Sequence, residues 1–195
     1  MKKKWILIPA LIVSLACAVG GTMAYFVAKD TAHNVITSGK VEIAIVETMK
    51  KPGQSEEEPF PSEGITNVMP GTKVSKIVRV KNLDTVQPCW LRVKLTTKVS
   101  ADVPADKIGS AITVNAPVND KWEYHDGYYY YTEVLGAGQT TEVLMDTVSF
   151  SAPNMGNEYQ NSTVNILVSA QAVQAKNNAA ASPWLAKGWP AEDQA

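Results

Sequence analysis

Cysteine is nearly absent from this chain. Cys17 lies in an apolar stretch near the start and Cys89 stands alone downstream. Beyond residue 24 there is no thiol pair from which to build an intramolecular disulfide. For an exported domain that lack is ordinary at a Gram-positive type of cell surface and less so in a small eukaryotic secreted domain. Pro88 and Trp90 flank Cys89, and without a neighbouring His or Lys it reads as a half-buried strand thiol rather than a reactive one. Histidine is as scarce, with only His33 and His125. There is no His-Glu-x-x-His for zinc, no Gly-x-Ser-x-Gly elbow, no phosphate loop and no Cys-x-x-Cys. Nothing positive points to an enzyme: the sequence offers no catalytic residue, no cofactor site and no metal-ligand set. Helical periodicity is almost missing as well, which excludes the helical bundle classes.

What is present begins with an export device. Lys2, Lys3 and Lys4 form a basic region, residues 5–19 are apolar apart from Ser14, and small residues follow at Gly20-Gly21-Thr22-Met23-Ala24. That is the three-part plan of a signal peptide. The apolar run falls short of the roughly 20 residues a membrane-spanning helix needs, and Pro9 interrupts it. Thr22 and Ala24 put small side chains at the −3 and −1 positions, so cleavage is expected after Ala24, with Tyr25 as the near alternative. A retained N-terminal anchor is the competing reading. A lipoprotein at Cys17 is a third, although Ser14 stands where a lipobox wants leucine.

Without residues 1–24 the chain has 171 residues, fifteen basic against nineteen acidic, a formal charge of −4. That length supports one domain with a substantial core. A mildly acidic exported domain has no general attraction for nucleic acid or anionic lipid, so membrane contact is expected only during export.

The rest alternates. Val41, Ile43 and Ile45 share one face of a short strand. Residues 50–64 read as a loop, with three prolines, two glycines and the run Glu56-Glu57-Glu58. That triplet suits a solvated surface better than calcium. Met69-Pro70-Gly71 is a turn, followed by strands at 73–81 and 89–99. In the latter Leu91, Val93 and Leu95 face one way and Arg92, Lys94 and Thr96 the other. A helix-like turn follows Pro104, and a brief strand is expected at 112–114. Asp126-Gly127 sits between aromatic β-formers, the strongest hairpin signal in the chain. Six aromatics crowd it. Trp122, Tyr124, Tyr128 and Tyr130 are candidates for a sugar-binding platform, though such rings more often staple a hairpin as cross-strand pairs. Strands are expected at 141–150, anchored by Val143, Met145, Val148 and Phe150, and at 163–175. In the last, Val164, Ile166, Val168, Ala170 and Ala172 share a face. The tail 176–195 reads as a short helix or a loosely ordered end. The sum is eight or nine strands in an all-β antiparallel sandwich or jelly roll. Its divisions are a signal peptide at 1–24, an N-terminal segment at 25–39, a domain at 40–175 and a tail at 176–195.

The junction Gly20-Gly21-Thr22-Met23-Ala24-Tyr25-Phe26, then Asp30-Thr31, Asn34-Val35-Ile36-Thr37-Ser38-Gly39 and Val41-Glu42-Ile43-Ala44-Ile45, resembles the signal region of proteins exported through the SipW-type signal peptidase. These include the TasA and camelysin family of Firmicutes cell-surface and biofilm-matrix proteins. Two further blocks are similar to the same family: Met69-Pro70-Gly71 through Leu91-Arg92-Val93-Lys94, and Tyr128–Tyr131 with Gly138-Gln139-Thr140-Thr141, Phe150 and Ala172–Ala175. The resemblance implies a jelly roll that assembles with itself or with related matrix subunits into extracellular fibres. It also implies processing by a dedicated signal peptidase at Thr22, Met23, Ala24, Tyr25 and Phe26. In a fibre of that kind the freed N-terminal segment of one subunit lies as an extra strand in the next, with Phe26, Val27, Val35 and Ile36 as apolar anchors. The simpler expectation is that the segment pairs within its own subunit. Two further functions compete: a monomeric glycan- or partner-binding module built on the aromatic hairpin, and a metalloprotease of the type attributed to some family members. No metal-binding motif supports the last.

Overall fold

The computed structural model describes residues 26–29, 32–38, 41–100 and 103–191. The expected signal segment, including Thr22, Met23, Ala24 and Tyr25, lies outside them, as do residues 192–195 of the tail. Twelve strands occur among the described residues. They are β1 (Phe26–Lys29), β2 (Ala32–Ser38), β3 (Ile43–Lys50), β4 (Glu57–Pro59), β5 (Ile65–Val68), β6 (Lys73–Asn82), β7 (Cys89–Val99), β8 (Ile112–Asn115), β9 (Trp122–His125), β10 (Tyr128–Tyr131), β11 (Met145–Phe150) and β12 (Thr163–Gln174). One short helix, α1 (Ala105–Ala111), follows Pro104, whose fixed φ suits a helix start.

The strands form two sheets. One has seven strands in the order β5-β1-β12-β7-β10-β9, with β2 also on β12; the other has five in the order β4-β3-β6-β11-β8. They pack on one another because each long strand alternates. On β12, Val164, Ile166, Val168, Ala170 and Ala172 are all 5% exposed or less. They meet Leu91 and Val93 of β7, Val78 and Val80 of β6, and Met145, Val148 and Phe150 of β11 in one apolar cluster. Burial of each of these side chains larger than alanine contributes about 1.5–3 kcal/mol. Tyr159, in a single 3-10 turn (Asn157–Tyr159), is completely enclosed in the same cluster.

Three expectations need correction. Eight or nine strands become twelve: the N-terminal segment, expected as one added strand, forms two, β1 and β2, and the stretch around the expected loop contributes β4 and β5. The strand expected from 141 begins at Met145, and Leu144 rather than Val143 is buried. A register shift between Met145 and Thr147 changes which residues face the core, as a bulge does. The tail is not loose up to residue 191: it carries one short 3-10 turn (Pro183–Leu185) and folds back against the outer face of the larger sheet, where Ala186 and Trp189 pack on Trp90 and Val173.

Candidate functional site

The N-terminal segment fills a slot. Val27, Ala28 and Lys29 of β1 pair in parallel with Thr163, Val164 and Asn165 of β12. On its other side, β1 pairs antiparallel with β5, Phe26 with Val68 and Ala28 with Ile65. β2 continues along the same edge of β12, in parallel, from Ala32 opposite Val168 to Ser38 opposite Val173, with Ile36 opposite Gln171. Every other described strand pairing is antiparallel. Phe26 and Val27 thus belong to β1, and Val35 and Ile36 to β2. Without this segment one whole edge of β12 would expose unpaired N–H and C=O groups beside an apolar core, and β5 would lose its only sheet partner among the described residues. In this structure the segment pairs with its own chain.

The aromatic hairpin is mainly a structural staple. Asp126 and Gly127 both have positive φ, +45° and +86°, the backbone of the tight turn that matches strand twist. Trp122 faces Tyr131 and Tyr124 faces Tyr129 across the hairpin, with ring centroids 5.1 Å and 5.0 Å apart. Of the four platform candidates, Trp122, Tyr128 and Tyr130 are 5% exposed or less. Trp122 belongs to the core between the sheets, while Tyr128 and Tyr130 flank Arg92 on the outer face. Only Tyr124, at 59%, offers a ring face. The four do not make a platform, because strand alternation sends them to opposite faces and neighbouring groups cover three of them.

Arg92 is the unexpected centre of the outer face. Although 8% exposed, it donates from Nε to Gln171 Oε1 (2.7 Å), from Nη1 to the Tyr130 hydroxyl (3.2 Å) and from Nη2 to the Pro190 carbonyl (2.8 Å). Its guanidinium lies 3.9 Å from the Tyr128 ring centroid and 4.8 Å from that of Trp189. All of its hydrogen-bond acceptors among the described residues are neutral, so ring faces and dipoles hold this charge. The tail is pinned beside it. Trp184 stacks on His125 at 5.1 Å. Trp90 Nε1 donates to the Asn178 carbonyl at 2.9 Å, and Asn178 bonds both the carbonyl and the N–H of Lys187. The pairing of Arg92 with a carbonyl 98 positions away had no signal in local sequence; the only hint was two tryptophans in a tail expected to be loose.

The remaining polar groups are structural. Arg79 grips Glu57 with two donors at 2.7 and 3.0 Å, and Thr48 adds a third bond. The guanidinium first, then the hydroxyl, pull the Glu57 carboxyl down to about 2. Glu58 pairs with Lys51, so two of the three loop carboxylates are engaged within the protein. Burial pushes the Cys89 thiol up to about 12, which leaves no thiolate for chemistry. Among the described residues no three His, Cys, Asp or Glu side chains converge as a metal site would require, and no helix is long and apolar enough to cross a membrane. Comparison with protein-family models, with curated proteins and with solved structures finds no match.

Proposed function

We propose that this is an exported structural protein of the cell surface or matrix, a jelly-roll subunit that polymerises when its freed N-terminal segment is added as a strand to a neighbour. Residues 1–24 act as the signal peptide, removed at the Thr22–Phe26 junction by a dedicated peptidase of SipW type. The partners are further copies of this chain or related matrix subunits. The observation that carries this reading is the placement of residues 26–38. β1 lies between β5 and β12, and β2 continues along the same edge of β12, yet the two strands are joined covalently to the domain only through residues 39–42. A terminal segment with those two properties is separable from its own body and needed by the body of any copy that has lost it. Filling an open edge with main-chain hydrogen bonds is a general mode of strand addition, and self-exchange of an identical element costs little.

The test is a chain that keeps residues 1–24 and lacks 25–38. The secreted product should form no filaments in electron micrographs, and a synthetic peptide of residues 25–38 should bind it and cap its slot. Filaments of ordinary appearance from the deleted chain would refute the reading.

A further inference from the structure

We infer that in the assembled form residues 26–38 run in the opposite direction along β12, antiparallel instead of parallel, so that copies join head to tail. This rests on the strand-addition reading and concerns the geometry of the joint.

The segment leaves its slot at the end of the domain from which β3 starts. Ser38 ends β2 opposite Val173, near the last residue of β12. β3 starts at Ile43, opposite Asn82. These points lie at one end of the domain: Asn82 Nδ2 donates to the Gln87 carbonyl at 2.9 Å, and Gln174 Nε2 donates to Gln87 Oε1 at 2.7 Å. The five steps from residue 38 to 43 span at most about 17 Å when extended. A donor whose segment kept its present direction would therefore have its body at the same end of the acceptor, facing it by the like end. With like ends in contact each body is within reach of the other's slot, so the exchange becomes reciprocal and closes as a pair instead of propagating.

Reversal changes the symmetry. Residue 38 then lies beside Thr163, at the far end of a strand of 12 residues, ten steps from Val173 and so about 33 Å away at about 3.3 Å per residue. The donor's body sits beyond that end, unlike ends meet, and the contact repeats without closing. Hydrogen bonding favours the change. Three registered pairs of β1 and five of β2 on β12 turn antiparallel, the pairing that is slightly more stable per residue, while two pairs with β5 turn parallel. Side chains alternate with period 2 in either direction, so a reversed strand can still present one face inward.

Two double-cysteine versions of the exported protein separate the cases. Ser38→Cys with Thr163→Cys reports the reversed strand, and Ser38→Cys with Val173→Cys reports the present direction. The native Cys89 thiol is buried and inert. After oxidation of filaments and non-reducing electrophoresis, the first variant should give a ladder of covalent multimers and the second none. A ladder from the second, or covalent dimers only, would overturn the inference while leaving strand addition standing. Filaments in which the second variant links only within single chains would sink strand addition itself. If either variant fails to assemble, wild-type filaments decide by electron microscopy. A polar filament repeating at roughly one strand length, about 40 Å, supports reversal; a repeat of about twice that with two-fold symmetry refutes it.

Discussion

Replacing Arg92 by methionine should destabilise the domain by about 2–4 kcal/mol, and the reasoning follows from what is left behind. Methionine fills much of the same volume, so the apolar packing of the long stem survives. The side-chain oxygen of Gln171, a residue only 3% exposed, loses its 2.7 Å donor, and a buried acceptor left unpaired costs about 1–3 kcal/mol. Loss of the cation over the Tyr128 and Trp189 rings adds about 0.5–2 kcal/mol. The Pro190 carbonyl is partly exposed and recovers a water. At about 2–4 °C per kcal/mol for a domain of this size, the midpoint should fall by roughly 5–15 °C, read by urea and thermal unfolding. The tail reports separately. Lys187 is held by Asn178 through both of its backbone groups, so tryptic cleavage there should be slow in the native protein and at least about tenfold faster in Arg92→Met. Arg92→Lys should rescue little, since an ammonium cannot fork to three acceptors or lie flat on a ring. A variant as stable as the parent, or more so, would refute the argument. That outcome is known where a buried charge is costly and a hydrophobe replaces it.

Other outcomes are equally direct. Glu57 has its folded pKa depressed to about 2 from 4.5, so its contribution is present above about pH 4.5 and lost as pH falls toward 2. Protection of the Glu57 and Glu58 amides against hydrogen exchange should fall through that window, and Glu57→Gln should show the lowered protection already at neutral pH. Gly127→Ala should cost about 1–2 kcal/mol from the left-handed backbone alone, because a Cβ there meets nothing within 4 Å; a neutral effect in urea unfolding would show that the turn shifts. Cys89 should resist a thiol reagent at pH 8 in the native protein and react at once in denaturant, and fast labelling of folded protein would contradict its burial.

Much of the domain was legible because half-buried strands announce themselves. Leu91, Val93 and the run from Val164 to Ala172 are buried as their alternation requires, and Asp126-Gly127 turns as that dipeptide does. What was hidden has common physical causes. β4 and β5 lie in a stretch rich in proline, glycine and acid, and they are strands because of partners elsewhere, Glu57 gripping Arg79 and β5 pairing with β1. Val143 yielded its place to Leu144 because residues 141–144 precede the strand, in irregular backbone that does not follow its alternation. The role of Arg92 depends on a tail 98 residues away, and no local pattern encodes such a contact. For the aromatic hairpin, composition suggested a surface of rings, but alternation divides the rings between two faces.

The lateral pairing of β1 and β2 with β12 has a mechanical consequence. Sheet hydrogen bonds run across the strands, so a pull along the segment, delivered through residues 39–42 in either direction of the strand, loads the paired positions together, in shear, instead of opening them one after another from an end. β7 holds the opposite edge of β12 over eleven consecutive pairs, Val164 to Gln174, and so anchors the strand that bears the load. A polymer linked through this slot would resist tension until most of a strand's bonds gave way at once.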